Sequence, residues 1–285
     1  MAERIDDDAA AVTEPVTVIV LAAQRSGVVN PLATRAGVSH KCLAPICGRP
    51  LIAHVLEVLT SRPAIAAIRV VLEPDGQAEI DMVLEEFRGR GTPIDIVDSD
   101  ANIVESVIAA TRGEDGPFIV TTADNVLLTA DGFEQIRTAM RANDAVIGVT
   151  TRERVWAVHR QGQRGFYELK DAGFANCNLY GLANRKGLRA AEVFREGGQF
   201  MSNKGRMVRA FGLFNILLMR LRLVTLAQGL ARVGRRFDAK LAPVIFEDGA
   251  LAIDVDNERT YAICEWVLGG RLGLDVPKPV FPAEG

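Results

Sequence analysis

Short, almost continuously apolar runs alternate along this chain with longer stretches whose apolar residues recur at helical spacing. Val16-Thr17-Val18-Ile19-Val20-Leu21 is β-branched and apolar nearly throughout, which predicts a strand buried on both faces. Further strands are predicted at residues 65–72, 94–97, 118–122, 145–150 and 250–255. Helices are predicted at 51–59 (behind Pro50), 77–87, 102–111, 131–141 and 258–268. Strand followed by helix, repeated, predicts an α/β fold: a Rossmann-like, mostly parallel sheet with helices on both faces. The rhythm changes after Thr151. Residues 152–182 mix glycine, arginine and aromatics and predict an antiparallel excursion over the active-site side, and residues 184–236 predict basic helical structure. The expected organisation is a disordered acidic leader at 1–15, one domain at 16–268 with 151–240 as its excursion, and an extended tail at 269–285 carrying Pro277, Pro279 and Pro282.

Composition narrows the partners. With 285 residues the chain can bury a large core, and 48% hydrophobic against 24% charged residues is the balance of a soluble globular protein. A net charge of −3 argues against a nucleic-acid-binding surface. Cys42, Cys47, Cys177 and Cys264 form no CxxC pair, so reduced thiols in a cytoplasmic protein are expected rather than a zinc site. The leader has no apolar h-region and does not read as a signal peptide.

Candidate chemistry begins where the first strand ends. Leu21, Ala22, Ala23 and Gln24 lead into Arg25-Ser26-Gly27, a loop of mostly small residues, and Lys41 follows before Pro45, Gly48, Arg49 and Pro50 start a helix. Backbone N–H groups approach an anion only where side chains are small, and Lys or Arg supplies the opposite charge. Strand, small-residue loop, cations and helix start therefore suit a triphosphate, although solvated loop charges are the ordinary fate of Lys and Arg. The second site is Thr122 and Asp124, directly behind the strand at 118–122, where open α/β sheets bind ligands. Asp124 suits Mg²⁺, a hard cation that takes carboxylate and phosphate oxygens; as a helix cap it is less well placed than Thr129 or Asp131. Asp254 and Asp256 form a third site, alternating on the strand predicted at 250–255 and so facing one way. Asp256 is equally placed to cap the helix at 258–268.

The segments LAAQRSG and KCLAPICGRPLI resemble the first motif of sugar-phosphate and cofactor nucleotidyltransferases, LAAGxGxR, spacer, KxLxPxxGxPLI. The second half matches almost position by position. Gln24 stands where that motif has glycine, and the spacer from Arg25 to Lys41 is long. The chain is most similar to MobA-like NTP transferases, a group that includes molybdenum-cofactor guanylyl- and cytidylyltransferases, and the likeness extends over most of residues 16–268. It implies a GT-A-like nucleotidyltransferase fold with Lys41 and Arg25 on the triphosphate. Leu21, Ala22, Ala23, Gln24, Asn102, Ser106 and Thr122 would line the nucleotide, and Mg²⁺ would sit on Asp124 and Asp256 with Asp254 in support. The run around Asp256 resembles a D-x-D-T-P-E-D segment, with Asn257 and Glu258 in place of Thr-Pro. Asn102 serves equally well as a helix cap. Asn176 and Asn178, in a glycine-flanked run, would line the acceptor pocket, though asparagine is also a turn residue. His40, His54 and His159 read as structural.

The implied reaction is Mg²⁺-dependent transfer of NMP from an NTP, CTP or GTP above the others, to a phosphorylated small molecule with release of pyrophosphate. The rivals are a nucleotide-sugar glycosyltransferase, whose mid-chain Asp-x-Asp is missing where Asn125 and Val126 follow Asp124, and a decayed nucleotide-binding module, for which Gln24 speaks. Residues 207–236 hold an almost wholly apolar core, Ala210 to Met219, flanked by Arg209 and Arg220. That core is about half the ~20 residues of a membrane span, and the segment fits a buried helix, a dimer face or a peripheral membrane contact.

Overall fold

The computed structural model describes residues 14–24, 30–191, 218 and 220–282. The first strand, β1 (Val16–Leu21), is buried along its length. Val16, Val18 and Val20 enter one apolar cluster while Ile19 enters another with Val71, Phe118 and Val120, so the sheet carries a core on each face. Burial of each such side chain stabilises the fold by about 1.5–3 kcal/mol. β1 pairs in parallel with β4 (Ile65–Leu72) and β6 (Phe118–Thr122), and β4 pairs in parallel with β5 (Ile94–Asp98).

Helices alternate with these strands. α1 (Pro31–Ala36) follows β1, and α2 (Leu51–Thr60) follows a small hairpin of β2 (Pro45–Ile46) and β3 (Arg49–Pro50). That hairpin turns on Cys47 and Gly48, both at positive φ (46° and 81°), the two-residue turn whose twist matches paired strands. α3 (Gln77–Leu84), α4 (Ile103–Thr111) and α5 (Ala130–Met140) occupy the later crossovers. The mostly parallel α/β expectation holds, with most of these elements within a residue or two of their predicted bounds.

The second half departs from expectation in two ways. First, β7 (Ala145–Thr151) is followed by α6 (Arg152–Val158), and the predicted excursion then returns into the sheet itself. β9 (Gly173–Leu182) lies antiparallel between β6 and β7, with the short β8 (Tyr167–Glu168) on its flank. The order is β10-β7-β9-β6-β1-β4-β5. Second, the strand predicted at 250–255 does not exist. Gly249–Ala252 is a 3-10 turn, and the residues that follow are extended without a sheet partner. The missing strand is β10 (Leu241–Phe246), disguised by Pro243, which only an edge strand accommodates. In the basic region, where helices are expected, the described residues include α7 (Arg185–Ala191) and α8 (Leu226–Arg236). Val233 and Gly234 of α8 are buried, and Gly234 meets Ala239 and Leu241. Residues 207–217 and 219 lie outside the described residues. Among those described, no helix is long and apolar enough to cross a membrane.

The chain closes with α9 (Glu258–Leu272) and an extended tail. The tail packs on α6: His159 Nε2 lies 3.2 Å from the Pro279 carbonyl, and the rings of His159 and Phe281 meet edge to face at 5.6 Å.

Where β7 passes β9, Gly148 is fitted against its neighbours: a Cβ there would stand 2.6 Å from the Phe246 ring and 3.0 Å from the Leu179 carbonyl oxygen. Gly148→Ala should therefore destabilise the fold by about 1–3 kcal/mol and lower the thermal unfolding midpoint by at least about 2 °C. A circular-dichroism melt matching wild type would contradict this packing.

Candidate active site

Two distant parts of the chain meet at the carboxyl end of β6. The Ala123 N–H donates to the Leu21 carbonyl at 2.9 Å, extending the β1–β6 pairing into the loop. The Val255 N–H then donates to the Asp124 carbonyl at 3.2 Å. That bond lays the segment after the 3-10 turn against Asp124. Carboxylate oxygens of Asp124, Asp254 and Asp256 come within 4.8 Å of one another. Lys41 Nζ donates to Asp124 Oδ2 and stands 3.6 Å from Asp256 Oδ1.

Asp256 is not the cap of the last helix. Asn257 is, its Oδ1 accepting from the Arg259 and Thr260 N–H groups, while Thr260 Oγ1 accepts from the Asp256 N–H. Division of labour leaves the Asp256 carboxylate turned to the cluster. Thr129 caps α5, as its position predicts, and Asp124 takes no part. The juxtaposition of Asp254 and Asp256 expected from a strand is thus reached without one.

Three negative groups around one ammonium give the cluster its electrostatics. Burial, then the charges of Asp124 and Asp256, push the Asp254 carboxyl up to about 8. Burial also raises Asp256, Lys41 opposing and Asp124 adding to the rise. For Lys41 burial alone would lower the pKa, but the charge and hydrogen bond of Asp124, with Asp256 and Asp254 behind, hold it above the ordinary lysine value. Asp124 Oδ1 and Thr122 Oγ1 are buried with no hydrogen-bond partner. Under-neutralised hard oxygen donors and an orphaned carboxylate oxygen fit a divalent cation of the Mg²⁺ type.

At the start of the loop beside the cluster, Gln24 is held by two hydrogen bonds. The Gln24 N–H donates to Glu73 Oε1 at 2.7 Å, and Gln24 Nε2 donates to the Ser39 carbonyl at 3.0 Å. Gln24 is not among the residues at positive φ, so the strain expected of glutamine in a glycine position does not arise. His40, 3% exposed, backs this anchor, with Nδ1 2.9 Å from Ser39 Oγ and Nε2 3.5 Å from Glu73 Oε2. The other two histidines bind main chain instead, His54 at the Ile46 carbonyl and His159 at the Pro279 carbonyl of the tail. Leu21 and Ala22 lie in the pairing register at the end of β1, and Ala23 is exposed. Arg25 lies outside the described residues.

The long spacer contains α1, which is tied to α9. Arg35 pairs with Glu258 and stacks 4.4 Å over the Tyr261 ring, whose hydroxyl donates to the Pro45 carbonyl at 2.7 Å. Asn102 caps α4 through the Val104 and Glu105 N–H groups, and Ser106 Oγ accepts from the Asp100 N–H. Asn176 and Asn178 lie on β9, where Asn178 Nδ2 donates to Asp254 Oδ2 at 2.7 Å. Sequence reasoning missed Glu73. The signal for it existed: like Asp124, it is a carboxylate directly behind a parallel strand.

A family model for the MobA-like NTP transferase domain matches residues 18–211. The chain belongs to that family. The matched span holds Lys41 and Asp124, while Asp254 and Asp256 lie beyond it. Three solved structures share the fold of this MobA-like chain. A hypothetical transferase from Thermus thermophilus superposes with a TM-score of 0.69 at 22% identity, covering 87% of this chain and 99% of that one. A 4-diphosphocytidyl-2C-methyl-D-erythritol synthase from Anaerococcus prevotii gives 0.57 at 13% identity, over 90% and 99% of the two chains. A CMP:2-keto-3-deoxy-manno-octonic acid synthetase complexed with CTP gives 0.54, also at 13% identity and over 90% and 99%. Comparison with curated proteins finds no match. The fold is that of GT-A-like nucleotidyltransferases.

In this MobA-like site Lys41 is the resident counter-charge of the carboxylates. Lys41→Ala should destabilise the metal-free protein by about 1–3 kcal/mol, less than a fully buried pair would because the cluster is partly open to water. Saturating Mg²⁺ should recover most of the loss. A thermal-melt series with chelator and with Mg²⁺ reads both, and a deficit equal in the two buffers would refute the charge argument.

Proposed function

We propose that this protein is a Mg²⁺-dependent nucleotidyltransferase that moves NMP from an NTP to a phosphorylated small molecule and releases pyrophosphate. One observation carries the proposal: a lysine set against three carboxylates that converge at the carboxyl end of β6, beside the small residues that leave β1. Open α/β sheets bind ligands at that edge. Family membership supports NTP chemistry, and CTP and GTP are the donors to try first.

In this reading the backbone of Leu21–Gln24 approaches the triphosphate, and Lys41 exchanges its bond to Asp124 for phosphate oxygens. Asp124 and Asp256 would hold Mg²⁺, with Asp254 beside them. The bound ion would neutralise the triphosphate and draw charge from the α-phosphoryl group. A phosphate oxygen of the acceptor attacks the α-phosphorus; the bond from that phosphorus to the bridging oxygen of the β-phosphate breaks, and its electron pair leaves on pyrophosphate. A phosphate oxygen is already anionic near neutral pH, so the protein need not remove a proton to make a nucleophile. The three histidines, each engaged with the protein frame, fit a reaction with no general base. Free thiols at Cys42, Cys47, Cys177 and Cys264 suit the cytoplasm.

The first test is thermal stabilisation by each of the four NTPs with and without Mg²⁺, followed by pyrophosphate release against a panel of phosphorylated acceptors. A preferred NTP at a hundred times its Kd should add about 2.7 kcal/mol of stability. Absence of any shift with all four would defeat the proposal. With the donor identified, Asp124→Asn and Asp256→Asn should each lower kcat by about 100-fold or more, the scale of lost electrostatic stabilisation. Lys41→Ala should lower kcat and raise the NTP KM together. Wild-type rates in both aspartate variants would exclude the carboxylates from the reaction.

A further inference from the structure

β9 leaves regular pairing where it passes the carboxylates. Opposite β7, Ile147 faces Tyr180 and Val149 faces Asn176, so β9 spends four steps where β7 spends two. Asn178, inside this bulge, sits at φ 46°, a conformation open to glycine and, among side-chain-bearing residues, most readily to asparagine. Bulges re-aim side chains, commonly beside functional sites. This one turns the Asn178 amide to Asp254, with Nδ2 donating to Oδ2 at 2.7 Å. The other end of the amide is also fixed: Asn178 Oδ1 accepts from Asn176 Nδ2 at 2.9 Å, and the Asn178 N–H donates to Asn176 Oδ1 at 3.3 Å. Asn176 Nδ2 reaches the Tyr180 hydroxyl as well.

We infer that Asn178 is a positioning residue for the cation site: its amide holds the Asp254 carboxylate in the cluster, and Asn176 with Tyr180 holds Asn178. The inference rests on the metal-site reading above, and it assigns Asn176 and Asn178 a task different from lining an acceptor pocket. The chemistry favours an amide. A half-buried carboxylate between two others needs a donor that restrains it, and an amide supplies one N–H without cancelling the negative charge a cation requires. A second lysine would compete with the metal, and a hydroxyl on this backbone would be shorter than the reach to Asp254. Hydrogen-bond partners of metal-binding side chains typically carry about 10–100-fold in metal affinity.

The decisive variant is Asn178→Gly, because glycine keeps the left-handed backbone and removes only the amide. Mn²⁺ serves as the probe, its free ion counted by electron paramagnetic resonance, alongside metal-free thermal midpoints for wild type, Asn178→Gly, Asn176→Ala and Asp124→Asn. Asn178→Gly should weaken Mn²⁺ binding by about 10–100-fold while its midpoint stays within about 4 °C of wild type. Asn176→Ala should weaken binding in the same direction by less, and it carries the test alone if the glycine variant does not fold. Wild-type affinity in folded Asn178→Gly, with affinity lost in Asp124→Asn, overturns the positioning role and leaves the metal site standing. Unchanged affinity in Asp124→Asn moves the ion elsewhere and overturns both.

Discussion

Three carboxylates share one ammonium, and much of the surrounding architecture can be understood as a response to that repulsion. Asp124, Asp254 and Asp256 approach within 4.8 Å. Left alone, such a group relaxes by taking up protons or by moving apart. Separation is opposed by neutral contacts on all sides. The Val255 N–H grips the Asp124 carbonyl, Thr260 receives the Asp256 N–H, and Asn178 donates to Asp254. Each is a backbone or uncharged donor or acceptor, so the net negative charge is held in place without being cancelled. Among the described residues Lys41 pairs with it directly, on a flexible stem that can be drawn away by a stronger anion.

The sheet supplies the rigidity that this concentration of charge demands. β1 and β6 are buried on both faces and hydrogen-bonded to strands on both sides, so Leu21 and Thr122 end at fixed positions. The third carboxylate-bearing segment has no strand of its own. It is seated by the 3-10 turn before it and by the capping box of α9 after it, where Asn257 and Thr260 satisfy the first turn reciprocally. A two-residue spacing between Asp254 and Asp256, with Val255 fully buried between them, then turns both carboxylates outward.

How much was legible follows from where the information lies. β1, β4 and β6 could be read to the residue because continuous apolar β-branched runs have few other uses. Asp124 could be found because a carboxylate behind such a strand has a position before it has a fold. Ala252-Ile253-Asp254-Val255-Asp256 imitates a strand by alternation, and only the absence of a sheet partner reveals otherwise. β10 was hidden by Pro243. The insertion of β9 between β6 and β7, and the bulge at Asn178, are products of long-range pairing that no local pattern encodes. Asn178 was singled out as a polar residue in a glycine-flanked run, but its partner is 76 positions away.

Gln24 departs from the related motif and settles into contacts of its own. Glycine in the related motif permits close approach of backbone to phosphate and a conformation other residues avoid. Here the backbone at position 24 needs no such conformation. The loop is instead bound at two points, by its own N–H to Glu73 and by the glutamine amide to Ser39. Ser39 closes the long spacer just before Lys41, so the same bond that holds the loop also holds the approach of the lysine. α1, inside that spacer, is tied through Arg35 to Glu258 and Tyr261 on the helix that follows Asp256. Gln24, Lys41 and the segment behind Asp256 are thereby joined by side-chain contacts. The long spacer supplies the Ser39 carbonyl to the Gln24 amide, a bond that a glycine at position 24 could not make.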